Sequence, residues 1–220
     1  MAPADLAVIG GGAAGLFVIR EALRRQPALS VRWFAPDPHP GVAWATRCPA
    51  HLLNVPVERM GARDPADFLH WLQGEPDGAN IRAGQFLPRA RFGAYLDALA
   101  RALPDQVWRI EARVHGLDRG PAGWTLRTPI GALDARRVVV AVGLPRHLPP
   151  PPLAEGWAGW GAGEAVDADA EVLLAGSGLT AVDMVLGLRD RGHRGPITVI
   201  SPTACWPEVH APTPPLAEAA

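Results

Sequence analysis

An α/β fold, with a parallel sheet carrying helices on both faces and a small antiparallel β layer, is predicted by three features of this 220-residue sequence. Two stretches repeat one order: apolar strand, glycine turn, amphipathic helix, second apolar strand. A further run, Val138 to Val142, is continuously apolar, as strands buried on both faces of a parallel sheet are. Between them lie short alternating segments bounded by glycines, which read as antiparallel strands.

The first unit is "DLAVIGGGAAGLFVIREALRR", with a strand over Leu6 to Ile9, a helix over Ala13 to Arg25 and a second apolar run from Leu29 to Phe34. Gly10, Gly12 and Gly15 divide the work of a dinucleotide turn. The first makes the bend, the second lets backbone approach a pyrophosphate, and the third lets the helix pack closely on the strand. The helix N-terminus then offers N–H groups and a positive dipole end to phosphate. The second unit is "EVLLAGSGLTAVDMVLGLRDRGHRGPITVIS", with a strand over Val172 to Ala175, a turn of Gly176, Ser177 and Gly178, a helix from about Thr180 to Arg191 and a strand over Ile197 to Ser201. Its third glycine position is Ala181, which still permits close packing. Two such units suggest two nucleotides, in a Rossmann-like arrangement; a purely structural glycine turn is the alternative for each.

Val138 to Val142 is broken by Gly143 and followed by Pro145 and Pro149 to Pro152, a stiff extended connector. It marks either a domain crossing or a surface loop. The crossing predicts one domain over residues 1–148 and a second, incomplete Rossmann-like unit over 149–220. In between, Ala66 to Gln73 reads as a short helix started by Asp64 or Pro65, and Phe92 to Leu103 as an amphipathic helix ended by Pro104. Val107 to Val114, Trp124 to Thr128 and Leu133 read as short strands with Gly116, Gly120 and Gly131 at turns, forming a small β layer on the main sheet.

Composition narrows the function classes. The chain is 48% hydrophobic and 20% charged with a formal net charge of -1, which describes a globular protein able to bury a core. Near-neutral charge, with arginines spread along the chain, argues against nucleic acid or an anionic membrane as a partner. No apolar stretch reaches the span of about 18 residues that a membrane helix needs, and the N-terminus runs directly into a strand, so a cytoplasmic location is expected. Cys48 and Cys205 have no CxxC spacing, which indicates neither a disulfide framework nor a zinc site. His51, His70, His115, His147, His193 and His210 show no ligand spacing. Trp33, Trp108 and Trp124 fall on strand patterns and are expected in the core, while Trp44 and Trp71 either pack there or wall a ligand pocket.

The stretches "VIGGGAAGL", "GVAWATRCPAHLLNVPVERMGARDPADFLHWL", "FLPRARFGAYL", "VVVAVGLP" and "VLLAGSGLTAVDMVLGLRDRGHRGPITVIS" together span nearly the entire chain. With them the sequence resembles the bacterial flavoproteins with an FAD-NAD(P)-binding domain that are related to the ornithine and lysine N-hydroxylating monooxygenases. The resemblance implies an FAD domain in residues 1–148, part of an NAD(P)-binding domain in 149–220, and an oxidoreductase in which a nicotinamide nucleotide reduces flavin. Carried over by position, Gly10, Gly12, Ala13, Ala14 and Gly15 hold the FAD pyrophosphate, and Gly143 joins the cofactor site. His51, Leu53, Asn54 and Val55 of "HLLNVP" approach the isoalloxazine, with His51 able to donate to a reduced flavin. Gly176, Ser177, Gly178 and Thr180 meet the NAD(P)H pyrophosphate. The substrate is a small molecule that the sequence does not specify.

Three departures from the family pattern qualify these expectations. The acid that takes the adenosine ribose falls on Ala35; Asp37 either substitutes for it or is a turn residue. The "ITVIS" strand is followed by Pro202-Thr203-Ala204 instead of arginines able to clamp a 2′-phosphate, which removes support for NADPH over NADH. The chain also ends soon after that strand, whereas relatives continue for about as long again. An N-terminal half is therefore expected, either completed by a C-terminal partner chain or a second copy, or kept as a noncatalytic nucleotide-binding or interaction protein.

Overall fold

The computed structural model describes residues 2–37, 41–143 and 166–209; the prolines after Gly143, His147 and His210 lie outside them. The described residues divide between two compact units, one drawn from 1–45 and 90–146, the other from 46–89 and from 147 onwards.

The first unit is built on one six-stranded sheet in the order β3-β2-β1-β6-β5-β4. Strands β1 (Ala4–Ile9), β2 (Val31–Phe34), β3 (Val107–Ile110) and the second half of β6 (Gly131–Val140) run parallel, while β4 (Gly116–Gly120) and β5 (Gly123–Thr128) extend the sheet as an antiparallel meander. The α/β class is thus as expected. One sheet face buries Ala7, Ile9, Phe34, Leu126 and Ala135, with Ile110, Val114, Leu133 and Val138 packed against them. Helix α1 (Ala13–Arg25) buries Gly15, Leu16 and Ile19, spaced to share one helix face, and leaves Glu21 paired with Arg24 and Arg25 at its surface. Helix α3 (Arg89–Arg101) buries Phe92, Gly93, Tyr95 and Leu96. A Cβ on Gly93 would lie 2.5 Å from the Trp44 carbonyl oxygen, so glycine lets α3 approach the 3-10 turn at Val42–Trp44.

Several elements differ from the sequence reading. Val107–Ile110 is a parallel edge strand of the main sheet and no part of an antiparallel layer. Gly116 and Gly120, expected in turns, are the ends of β4, and the meander continues the main sheet instead of lying on it. Leu133 and Val138 belong to one ten-residue strand, β6, because that strand changes partners midway: Gly131 to Ala135 pair with β5, and Ala135 to Val140 with β1. Beyond Ala135, β6 is paired on one side only among the described residues. Val140 and Val142, expected to be buried on both faces, are accordingly 58% and 65% exposed. Trp108 is exposed because β3 is an edge strand, whereas Trp33 is in the core.

Two polar anchors fix the base of the sheet. Arg32 is fully buried and donates to the carbonyls of Asp134 and, at 2.8 Å, Ala2, so backbone oxygens solvate its charge beside the residue where β6 changes partner. Asp5 accepts the Ser30 N–H at 3.1 Å and the Ser30 hydroxyl at 2.8 Å, joining the start of β1 to the approach to β2. The Ser30 backbone and side-chain hydrogen bonds hold the Asp5 carboxyl below its ordinary value near 3.8.

In the second unit, β7 (Val172–Ala175) and β8 (Ile197–Ile200) form a two-stranded parallel sheet, connected through α4 (Leu179–Asp190). Helix α2 (Asp67–Gly74) buries Phe68, Leu69 and Leu72, and Asp67 in its first turn accepts the N–H groups of Arg63 and Asp64.

Two outcomes are expected of this unit-by-unit anatomy. Gly10 has φ +131°, and a Cβ there would lie 2.1 Å from the Ala141 carbonyl oxygen; Gly131 has φ +118° with open space around it. Urea unfolding should show Gly10→Ala losing about 3 kcal/mol or more and Gly131→Ala only about 1–2 kcal/mol. Equal losses would mean that the overlap is relieved at no cost. A lowered folded-state pKa gives stability that is present above the ordinary aspartate value and lost as pH falls through the folded one. Between about pH 5 and pH 2, the urea midpoint of Asp5→Asn should therefore fall less steeply than that of the parent chain.

Candidate nucleotide-binding site

The two glycine turns share one backbone geometry. In the first, Gly10 has φ +131° and donates its N–H to the Phe34 carbonyl at 2.9 Å, while Gly12 is the extended N-cap of α1. In the second, Gly176 has φ +108° and donates to the Ile200 carbonyl at 2.7 Å, while Gly178 is the extended N-cap of α4. Each first glycine is thus bonded to the last residue of the neighbouring parallel strand. Neither helix has a side-chain cap or an acid in its first turn. The helical ladder begins at Leu16 N–H to Gly12 O in α1, so the N–H groups of Ala13, Ala14 and Gly15 precede it. In α4 the first bonds run from Ala181 and Val182 to Gly178 O. Uncapped, acid-free N-termini of this kind fit an anionic pyrophosphate.

The third glycine positions differ in the way their side chains allow. A Cβ on Gly15 would lie 2.2 Å from the Gly10 carbonyl oxygen, so only glycine fits. Ala181 is buried at its equivalent position and its methyl is accommodated. Ala35, where the family pattern has its ribose-binding acid, is fully buried, and a Cβ on Gly11 would meet its methyl at 2.9 Å. Asp37 is exposed, and its carbonyl oxygen, at 2.6 Å, accepts from Arg109, whose guanidinium also lies 5.4 Å over the Trp33 ring. The Trp33 indole N–H is donated to the Gly10 carbonyl at 2.8 Å, bracing the turn from the core side. Gly143 has φ +73° and is exposed, with nothing near its Cβ position.

In the second turn, Ser177 and Ser201 are joined at 2.8 Å, Ser177 Oγ lies 2.6 Å from the Cys205 carbonyl oxygen, and Ser201 Oγ accepts the Ala204 N–H at 3.0 Å. Thr180 is exposed in the first turn of α4.

The "HLLNVP" segment lies beside Gln85 to Arg89. Leu53 N–H donates to Leu87 O at 2.9 Å, Val57 N–H to Gln85 O at 3.1 Å, and Leu52 forms an antiparallel bridge with Pro88. Leu53 and Pro56 are buried, Val55 is half-buried, and Leu52 and Asn54 are exposed. A buried network then ties the segment to α4. Asp183 pairs with Arg89 at 2.8 Å, and Arg89 also donates to the carbonyls of His51 and Leu52. His51 Nε2 lies 2.7 Å from the Asp183 carbonyl oxygen and therefore donates, since a carbonyl only accepts; Nδ1 faces the Thr46 hydroxyl at 2.6 Å. His51, expected to donate to a reduced flavin, has protein partners on both ring nitrogens here, and Leu53 can contribute only backbone. Trp44 packs on Phe92 with centroids 4.7 Å apart, and Trp71 stacks on Phe68 at 6.3 Å.

Arg89, Asp183 and Thr46 were not singled out by the sequence. The signals were an acid inside the apolar helix run "AVDMVLGL" and an arginine inside "FLPRARFGAYL", with nothing to show that the two meet. Among the described residues no group of three or more His, Cys, Asp or Glu could hold a metal ion, and no helix is long and apolar enough to cross a membrane.

Residues 7–145 match the sequence profile of a family described as FAD-NAD(P)-binding. The chain belongs to this family. Among solved structures, this family member superposes on an ornithine N-hydroxylase of Kutzneria sp. 744, in complex with reduced FAD, NADP+ and L-ornithine, with a TM-score of 0.69, 21% identity and 90% of this chain covered. It also matches the ornithine hydroxylase of Pseudomonas aeruginosa (TM-score 0.67, 17% identity, 90% covered) and an FAD-bound cadaverine monooxygenase of Erwinia amylovora (TM-score 0.67, 17% identity, 90% covered). The chain spans about half the length of these structures, covering 53%, 55% and 51% of them respectively. No curated protein matches it. At these identities the likeness is one of fold.

Removing the Asp183 carboxylate takes the ion-pair partner from an Arg89 side chain that is 15% exposed. Asp183→Ala should cost about 3–5 kcal/mol in denaturant unfolding, the range for breaking one side of a buried pair, while Asp190→Ala at the exposed end of α4 should change little. A loss under about 1 kcal/mol in Asp183→Ala would show that the pair is solvated.

Proposed function

We propose that this chain is the nucleotide-binding part of an FAD-dependent, monooxygenase-like oxidoreductase in which a nicotinamide nucleotide reduces the flavin. The observation that carries this reading is the repetition within one chain of the same turn: a left-handed glycine bonded to the neighbouring strand, followed by an extended glycine opening an uncapped helix. Membership of the FAD-NAD(P)-binding family supports it, as do structural neighbours that hold FAD and NADP+.

Residues 1–148 supply the FAD-binding part and 149–220 part of the NAD(P)-binding domain. Gly10 and Gly12 bring backbone close to the FAD pyrophosphate, and the N–H groups of Ala13, Ala14 and Gly15 face it; Gly143 borders the same cofactor. Leu53, Asn54 and Val55 present backbone and the Asn54 amide toward the isoalloxazine, and His51 holds that loop in place instead of touching the ring. Gly176, Ser177, Gly178 and Thr180 receive the nicotinamide nucleotide. FAD, when bound, supplies the redox chemistry, and the protein's task is to position it against the nucleotide and a small-molecule substrate. Asp37 offers a carboxylate near the first ribose position, although Arg109 already occupies its carbonyl.

The one-sided pairing of β6 over Arg136 to Val140 among the described residues favours a second reading within the same fold, in which a further chain, a C-terminal partner or a second copy, completes the flavin site.

Incubating the 220-residue chain with FAD, removing excess by gel filtration and recording the visible spectrum tests the proposal. Retained flavin is expected, with retention lost in Gly12→Val, where a branched side chain fills the pyrophosphate approach. No uptake by the chain alone or with added C-terminal half of a relative would defeat the flavin reading.

A further inference from the structure

We propose that the second glycine turn selects a nicotinamide nucleotide with a free 2′-hydroxyl over its 2′-phosphorylated counterpart, because the serine at its ribose position has its hydroxyl proton committed inward and no basic residue stands among the described residues that follow it. The inference rests on the reading that this turn holds the nicotinamide nucleotide.

The ribose position is fixed by comparing the two turns. Gly176 donates to Ile200 O as Gly10 donates to Phe34 O, so Ser201 stands in the second unit where Ala35 stands in the first. In dinucleotide-binding βαβ units this is the region from which an acid takes the 2′-hydroxyl or an arginine accommodates the 2′-phosphate. Serine could serve either ligand, since a hydroxyl both donates and accepts. What decides is where its proton goes.

Proton bookkeeping leaves one arrangement. The Cys205 carbonyl can only accept, so at 2.6 Å it takes the Ser177 proton. Ser177, having no second proton, must then accept from Ser201 at 2.8 Å. Ser201 in turn accepts the Ala204 N–H at 3.0 Å, an arrangement for which Ala204 adopts φ +52°. Every hydroxyl proton in the relay is committed inward, and what the two serines can still offer a ligand is lone pairs. A ribose 2′-hydroxyl can donate to these. A 2′-phosphate brings further acceptors and negative charge against these half-buried lone pairs, with no hydroxyl proton of the relay turned toward it.

Among the described residues that follow β8, 201–209, no basic residue stands. Arg189 donates to the His193 and Gly195 carbonyls, and Arg194 pairs with Asp169, all at the opposite end of α4 from the turn.

Isothermal titration of the 220-residue chain with NAD+ and with NADP+ tests the inference. NAD+ should bind at least about tenfold more tightly, and Gly178→Val should abolish binding, assigning it to this turn. Ser177→Ala releases the Ser201 proton and should shrink the ratio, and Thr203→Arg should raise NADP+ affinity by supplying the missing cation. Equal or tighter binding of NADP+ by the parent chain would overturn the preference while leaving the nucleotide reading intact. A ratio unchanged in Ser177→Ala would overturn the relay as its cause. Binding of neither nucleotide, or binding that survives Gly178→Val, would overturn the nucleotide reading of this turn and the inference with it.

Discussion

The close approach of Gly10 to the Ala141 carbonyl sets the geometry of the first unit. At 2.1 Å from any Cβ, that oxygen admits only hydrogen on Gly10, and the Ala141 N–H is held at 2.7 Å by Ile9 O. The end of β1 is therefore clamped between β2, through Gly10 N–H, and the extension of β6. Trp33 closes the clamp from below with its indole N–H. With the turn fixed on three sides, α1 has one place to start, and Gly15 lets it start close enough that its first N–H groups face outward over the strand ends. Anion binding at such a helix terminus requires that the donors be held before the ligand arrives, and here backbone contacts and the Trp33 indole do so.

The second unit solves a different problem. Among the described residues its sheet has two strands, which by themselves are marginal in water, so stability must come from elsewhere. The Arg89–Asp183 pair ties the "HLLNVP" loop to α4, and neither charge is left alone: Asp183 has its arginine, and the Arg89 guanidinium has the Leu52 carbonyl besides. His51 and Thr46 add a chain of hydrogen bonds that ends on the backbone of the same helix. The loop read as facing a flavin is consequently fastened to the helix that opens on the second glycine turn, and His51 is spent on the fastening.

Much of the fold was legible because it is local. The strand, glycine and helix order of both units is written in adjacent residues, and α1 falls on Ala13–Arg25 as its periodicity indicates. What was not legible is pairing. Gly116 and Gly120 look like turn residues until β5 is found beside them, and nothing within Gly131–Val140 shows that one strand serves two partners in opposite senses. Trp108 follows the strand pattern yet is exposed, since a pattern does not reveal that its strand lies at an edge. The candidate site divides in the same way: the glycines were visible, while Arg89 and Asp183, 94 residues apart, could be joined only by the fold.

Repetition with a few substitutions is also what separates backbone from side-chain roles in this chain. The two turns agree where the backbone must bend and where the helix must open, and they diverge at the residues that follow the second strand. Ala35 is sealed against Gly11 and contributes shape alone, whereas Ser201 is half-buried and drawn into a relay with Ser177. Phosphate recognition by N–H groups is indifferent to which nucleotide is attached, so any discrimination between nucleotides must lie at these diverging positions. On the proposed reading, the backbone sets that a dinucleotide fits, and the direction of a few hydroxyl protons sets which one.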